Sequence, residues 1–126
     1  MADATTVKRR VLVVDDEEGV RESLRMTLKD DYETIAVGSA EEALDTLSSA
    51  SVDVVLLDIL MPGMDGWEAL PLIRRVAPDT AVVMVSALGR RQDVAERATA
   101  LGAAAYVDKA KLGSTPGLVA SVCSDA

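Results

Sequence analysis

Short aliphatic runs recur along this chain, separated by stretches with helical spacing. Residues 11–14, 32–37, 52–57, 81–85 and 103–107 are rich in aliphatic and β-branched side chains. Residues 18–29, 40–47, 66–76 and 90–101 repeat apolar positions at i, i+3 and i+4, the period of an amphipathic helix. A strand that is apolar along its whole length must be covered on both faces. The alternation therefore predicts an α/β fold, a parallel sheet with helices on either side. Right-handed crossovers leave few ways to connect such a sheet.

The local signals sharpen this picture. Val20, Leu24 and Leu28 form one apolar stripe, and residues 32–37 read as an edge strand. Ser39 precedes a helix with Glu42 three residues on, a capping-box pattern. Asp53 is the single polar residue of the third run, and Pro78 closes the helix at 66–76. In the next helix Val94, Ala98 and Leu101 are expected to point inward, with Gly102 as the C-cap. A short last helix has Ser114 as its cap, Pro116 in its first turn, and Val119, Val122 and Cys123 to pack.

With 126 residues, one domain with its own core is expected. Residues 1–8 read as a flexible arm and 9–126 as the folded unit. The formal charge of −8 disfavours direct nucleic-acid binding. The only aromatics are Trp67, Tyr32 and Tyr106, too few for a base-stacking platform. Histidine is absent, which excludes Ser-His-Asp catalysis, histidine metal ligands and a phosphohistidine donor. The lone Cys123 favours a cytoplasmic chain. No apolar run approaches the ~18 residues of a membrane span, and the four apolar residues after Lys8-Arg9-Arg10 are too few for a signal-peptide core.

Sites in parallel α/β sheets form beyond the carboxyl ends of the strands. Asp15-Asp16, Asp58, Ser86 and Lys109 all fall there. Taken singly, each has a plain reading. Asp15-Asp16-Glu17 suits a helix N-terminus, Ser86 a cap or turn, Lys109 a solvated surface, and Tyr106 and Trp67 packing. Taken together they point to a charge problem. Two unit charges ~4 Å apart repel by ~4 kcal/mol at an effective dielectric of 20. A hard dication with oxygen ligands relieves that, and Mg²⁺ fits. A carboxylate is also a competent nucleophile toward phosphorus, and phosphoryl transfer needs mainly alignment and charge neutralisation.

The run D-x-x-M-P-x-M-D-G, Asp58 through Gly66, together with Asp15-Asp16, Ser86, Tyr106 and Lys109, resembles the receiver domains of bacterial two-component response regulators. The resemblance covers residues ~9–110. It implies a flavodoxin-like, doubly wound five-stranded sheet of order 2-1-3-4-5. Carried over by position, Asp58 is the phosphoacceptor. Asp16 is a direct Mg²⁺ ligand, and Asp15 is its partner, either through a water or by supporting the ligands from behind. The Leu60 backbone carbonyl is a further ligand. Ser86 and Lys109 meet phosphoryl oxygens, and Tyr106 is the aromatic switch. The donor is a sensor histidine kinase or a histidine phosphotransfer protein. The recipient of the signal is an output protein or fused output domain, met by the surface around the fourth helix, Val107 and the last helix.

Two alternatives stay open. An aspartate-nucleophile phosphatase places an acid two residues after the nucleophile, where this chain has Leu60. A phosphorylation-independent interaction domain keeps the fold but not the site. Leu60 and Leu88 are expected to shield an acyl phosphate from water. Ala110 stands where many receivers have proline after the lysine, which leaves the peptide at 109–110 open between cis and trans.

Overall fold

The computed structural model describes residues 8–87 and 92–123. Its elements run β1 (Arg9–Val14), α1 (Glu18–Leu28), β2 (Tyr32–Val37), α2 (Ala40–Ser49), β3 (Val54–Asp58), α3 (Gly66–Val76), β4 (Ala81–Ser86), α4 (Gln92–Ala100) and β5 (Ala105–Asp108). A 3-10 turn (Lys109–Ser114) then leads into α5 (Thr115–Cys123). The five strands form one sheet of order β2-β1-β3-β4-β5, every pair parallel. Strand order reverses at β1, with β2 on one side and β3 on the other, so a crevice opens at the carboxyl ends of β1 and β3.

Alternation along each strand sends side chains to two cores. Leu12, Val14, Val55, Leu57, Val82 and Met84 face one side, where Ala43 and Leu47 of α2, Leu70 and Ile73 of α3, and Val94 and Ala98 of α4 cover them. Val11, Val13, Val54, Leu56, Val83 and Val85 face the other, against Leu24 and Leu28 of α1 and Val119 and Cys123 of α5. Burying one such side chain contributes about 1.5–3 kcal/mol, so the aliphatic core stands without aromatics at its centre. β2 is an edge strand, as expected, and is only partly buried.

Several boundaries differ from the sequence reading, each for a local reason. β3 starts at Val54 because Asp53 turns its side chain to accept a hydrogen bond from the Arg10 N–H at 2.8 Å. β5 starts at Ala105 because the N–H groups of Leu101, Gly102 and Ala103 are spent closing α4. Leu101 lies beyond that helix and is exposed, while Gly102 adopts φ +102° as a C-terminal glycine. Ser39 accepts from the Glu42 N–H as expected, but Glu42 reaches one residue further and accepts from Gly38 N–H. Ser114 does not cap α5: its hydroxyl donates to the Lys111 carbonyl at 2.8 Å. Pro116 does sit in the first turn. Among the described residues no peptide bond is cis, Lys109–Ala110 included. Residues 1–7 of the expected arm, and Leu88 with the expected start of α4, lie outside the described residues.

Candidate functional site

The loop after β1 is tied down from three directions. Asp15 donates its N–H to the Val37 carbonyl at the end of β2. Its own carbonyl accepts from the Arg21 guanidinium at 2.8 Å. Its carboxylate accepts from Glu17 N–H at 2.9 Å. Asp15 is thereby held 2% exposed with an oxygen still facing the crevice. Asp16 beside it is exposed. Glu17 is the residue preceding α1, yet its side chain makes no capping bond. Helix capping does not account for the acids here.

Asp58 is the last residue of β3 rather than the first after it, and is 1% exposed. The turn that follows is built around glycine and a cap. Gly63 takes φ +74°, a region costly for other residues. Gly66 packs so closely that a Cβ there would lie 2.5 Å from the Asp58 carbonyl oxygen, and its N–H donates to Ile59. Asp65 accepts from Glu68 N–H while Glu68 accepts from Asp65 N–H, a reciprocal capping box. The Leu60 N–H donates to Asp58 Oδ1 at 3.3 Å, and the Leu60 side chain is 54% exposed beside it.

Carboxylate oxygens of Asp15, Asp16 and Asp58 lie within 4.8 Å of one another. Lys109, at the end of β5, sends Nζ to Asp15 Oδ2 at 3.1 Å and Asp58 Oδ2 at 3.3 Å. Its shortest contact, 2.8 Å, is to Glu17 Oε1. Burial is the largest influence on Asp58 and pushes its pKa up; repulsion from Asp15 adds to this, and despite the pull of Lys109 it reaches about 6. Burial would lower the Lys109 pKa, but bonds to Glu17 and Asp15 and the charge of Asp58 outweigh it and raise it. One ammonium among three crowded carboxylates leaves an excess of negative charge on oxygen donors, which fits a hard dication.

Ser86 ends β4 and is buried; Asp58 pairs with Val85 in the neighbouring strand, one residue earlier. Tyr106 lies opposite Met84 on β5 and packs, partly buried, against the core that includes Val94 and Ala98 of α4. Burial, then the charge of Asp108, raises its pKa. Asp108 accepts from Ala110 N–H at 2.9 Å, which shapes the turn carrying Lys109. Asp15, Asp16, Asp58, Ser86 and Lys109 therefore stand at the same edge of the sheet, with Tyr106 two residues inside it, and Asp15, Asp16, Asp58 and Lys109 meet. Glu17 and Arg21 were not expected at the site. Arg21 carries no pattern that marks it, and Glu17 reads as a helix-terminal acid until Lys109 is seen beside it.

The family model for the response regulator receiver domain matches residues 11–114. The chain belongs to that family. Among curated relatives, it is 40% identical over 104 residues to the protein-glutamate methylesterase/protein-glutamine glutaminase of Azospirillum brasilense, covering 79% of this chain and 26% of that one. It is 39% identical over 97 residues to response regulator MprA of Mycolicibacterium vanbaalenii, covering 76% and 41%. The chain thus spans well under half the length of these relatives. The receiver domain of a Francisella response regulator shares the fold at TM-score 0.86 and 22% identity, over 94% of this chain and 98% of that one. TrrA of Thermotoga maritima, solved in complex with Mg²⁺-BeF, superposes at TM-score 0.79 with 32% identity, over 90% and 98%. Receivers of this kind are phosphoacceptor signalling modules of two-component systems. No helix among the described residues is long and apolar enough to cross a membrane.

Proposed function

We propose that Asp58 accepts the phosphoryl group. The observation that carries this is Lys109 Nζ bridging two buried carboxylates, Asp15 and Asp58, beside an exposed third. Asp58 Oδ attacks phosphorus, the P–N bond of a phosphohistidine breaks, and the electron pair leaves with the imidazole. The step makes an acyl phosphate without an oxidant or reductant. Asp15, Asp16, Asp58 and the Leu60 carbonyl would hold Mg²⁺, which when bound supplies charge neutralisation at the phosphoryl oxygens. Lys109 is already 3.3 Å from the Asp58 oxygen and meets a second phosphoryl oxygen. The Ser86 hydroxyl meets a third, and Tyr106 follows it inward. That movement alters the α4-β5-α5 surface, provided the phosphoryl group binds one arrangement better than the other.

In this reading the chain is a cytoplasmic switch that assists its own phosphorylation and dephosphorylation, with residues 9–126 as the receiver. Its donor is a sensor histidine kinase or histidine phosphotransfer protein, and its signal passes to an output protein or domain. The acidic surface takes no direct part in nucleic-acid binding. A phosphatase reading is disfavoured because Leu60 has no proton for a leaving group. Intact-mass measurement after incubation with acetyl phosphate and Mg²⁺ tests the proposal. One phosphate is expected on the wild type and none on Asp58→Asn; equal labelling of both would overturn it.

A further inference from the structure

Lys109 is held most closely by a residue outside the acidic trio. Glu17 Oε1 lies 2.8 Å from Nζ, nearer than Asp15 at 3.1 Å or Asp58 at 3.3 Å. The Glu17 side chain is 62% exposed and makes no capping bond to the helix it precedes. Its backbone N–H is bound to the Asp15 carboxylate, so the main chain is fixed while the exposed side chain has other rotamers open to it. Asp15 and Asp58 are buried at strand ends and cannot follow Lys109 if it moves. Glu17 can release it at small cost, since an exposed ion pair is weak.

Accepting that Asp58 takes the phosphoryl group, we infer that Glu17 is a positioning residue that holds Lys109 toward the outer rim of the site in the unphosphorylated chain. The incoming phosphoryl group brings about two negative charges and must draw the ammonium away from Glu17 before it is neutralised. Glu17 competes with the phosphoryl oxygens for one cation. It slows phosphoryl uptake and weakens retention, and it does so only through Lys109. The contact also keeps Lys109 from closing fully over Asp58.

The test is the rate of acetyl-phosphate-driven uptake, followed by intact mass at saturating Mg²⁺. Glu17→Gln is expected to speed uptake about two- to fivefold, the range set by the loss of one exposed ion pair. Glu18→Gln removes the same charge one residue on, at a side chain exposed in the first turn of α1. It is expected to stay within about 1.5-fold of wild type if simple relief of repulsion is not the cause. In a Lys109→Gln background, slower throughout, Glu17→Gln is expected to change nothing, the signature of a coupled pair. Equal rates for wild type and Glu17→Gln, equal acceleration by Glu18→Gln, or an effect that survives loss of Lys109 would each overturn the inference. A wild type that takes up no phosphate overturns the reading of Asp58 and this inference together, whereas normal wild-type uptake with an inert Glu17→Gln overturns this inference alone.

Discussion

Asp58 is stored at a cost, and removing its charge should show how large that cost is. Burial and the neighbouring Asp15 carry its pKa from an ordinary 3.8 to about 6. Ionising it in the folded chain is thus harder than in the unfolded chain by about 3 kcal/mol. Water at the pocket mouth reduces this, so about 2 kcal/mol is the working figure. Asp58→Asn keeps the shape and the acceptor for Leu60 N–H while removing the charge, at the loss of the Oδ2 acceptor for Lys109, which keeps Asp15 and Glu17. The sign follows from proton binding. Between pH 4 and 6 the folded wild type holds a proton that the unfolded chain has lost, so wild-type stability falls as pH rises through 6. The variant is expected to be more stable by about 2 kcal/mol at pH 8 without Mg²⁺, a urea midpoint higher by about 1 M. At pH 4.5 the advantage shrinks to about a third. Millimolar Mg²⁺ should restore the wild type and move the variant little. Urea unfolding at the two pH values, with and without Mg²⁺, is the assay. A variant no more stable than wild type at pH 8, or one whose advantage ignores pH, would refute the electrostatic account of this carboxylate.

Other residues give equally direct checks. Gly66→Ala forces a Cβ to 2.5 Å from the Asp58 carbonyl; a loss of about 3 kcal/mol and a fall of about 10 °C in Tm are expected, against about 1–2 kcal/mol for Gly63→Ala, which has open space and only a positive φ to pay for. Trp67 is the single tryptophan and lies 4.2 Å beneath the Arg97 guanidinium of α4. Arg97→Gln is expected to change its emission before any ligand is added and to cost about 0.5–1 kcal/mol; unaltered emission would mean the ring is not covered in solution. Leu60 flanks Asp58 with an exposed apolar side chain, so Leu60→Asn is expected to hasten loss of the phosphate about fivefold, the size of a ~1 kcal/mol change in barrier, measured by intact mass over time.

Much of this molecule was legible in the chain because its signals are local. The aliphatic runs gave all five strands and their parallel sense, the family resemblance gave their order, and Tyr32–Val37 and Gly66–Val76 kept the limits that their patterns suggest. The errors arose where a side chain took over a backbone role or a neighbour changed the register. Asp53 shortens β3 by serving Arg10, and Leu101 falls outside α4 because the turn at Gly102 ends it one residue sooner. Asp65-Gly66-Trp67-Glu68 spells a capping box, but the same letters belong to the site signature and hid it. At the site the acids and the lysine were legible as a group because each follows a strand. Glu17 was not, because its partner is a residue 92 positions away, and no local pattern joins them.

That separation has a consequence for folding. Asp15, Asp58 and Lys109 come from β1, β3 and the segment after β5, so their meeting requires the ends of the chain and its middle to be docked at once. A fragment lacking the first strand keeps Asp58 without a second strand to bring acids beside it, and an intermediate in which β1 and β3 have not paired gains nothing from the ion. Dication binding therefore weights the states in which β1 and β3 are paired, adding RT ln(1 + [ion]/Kd) to their stability. The signalling centre is thus also a clasp, in which an ion would tie the first strand to the third and the ammonium of Lys109 fastens the far side of the sheet to both.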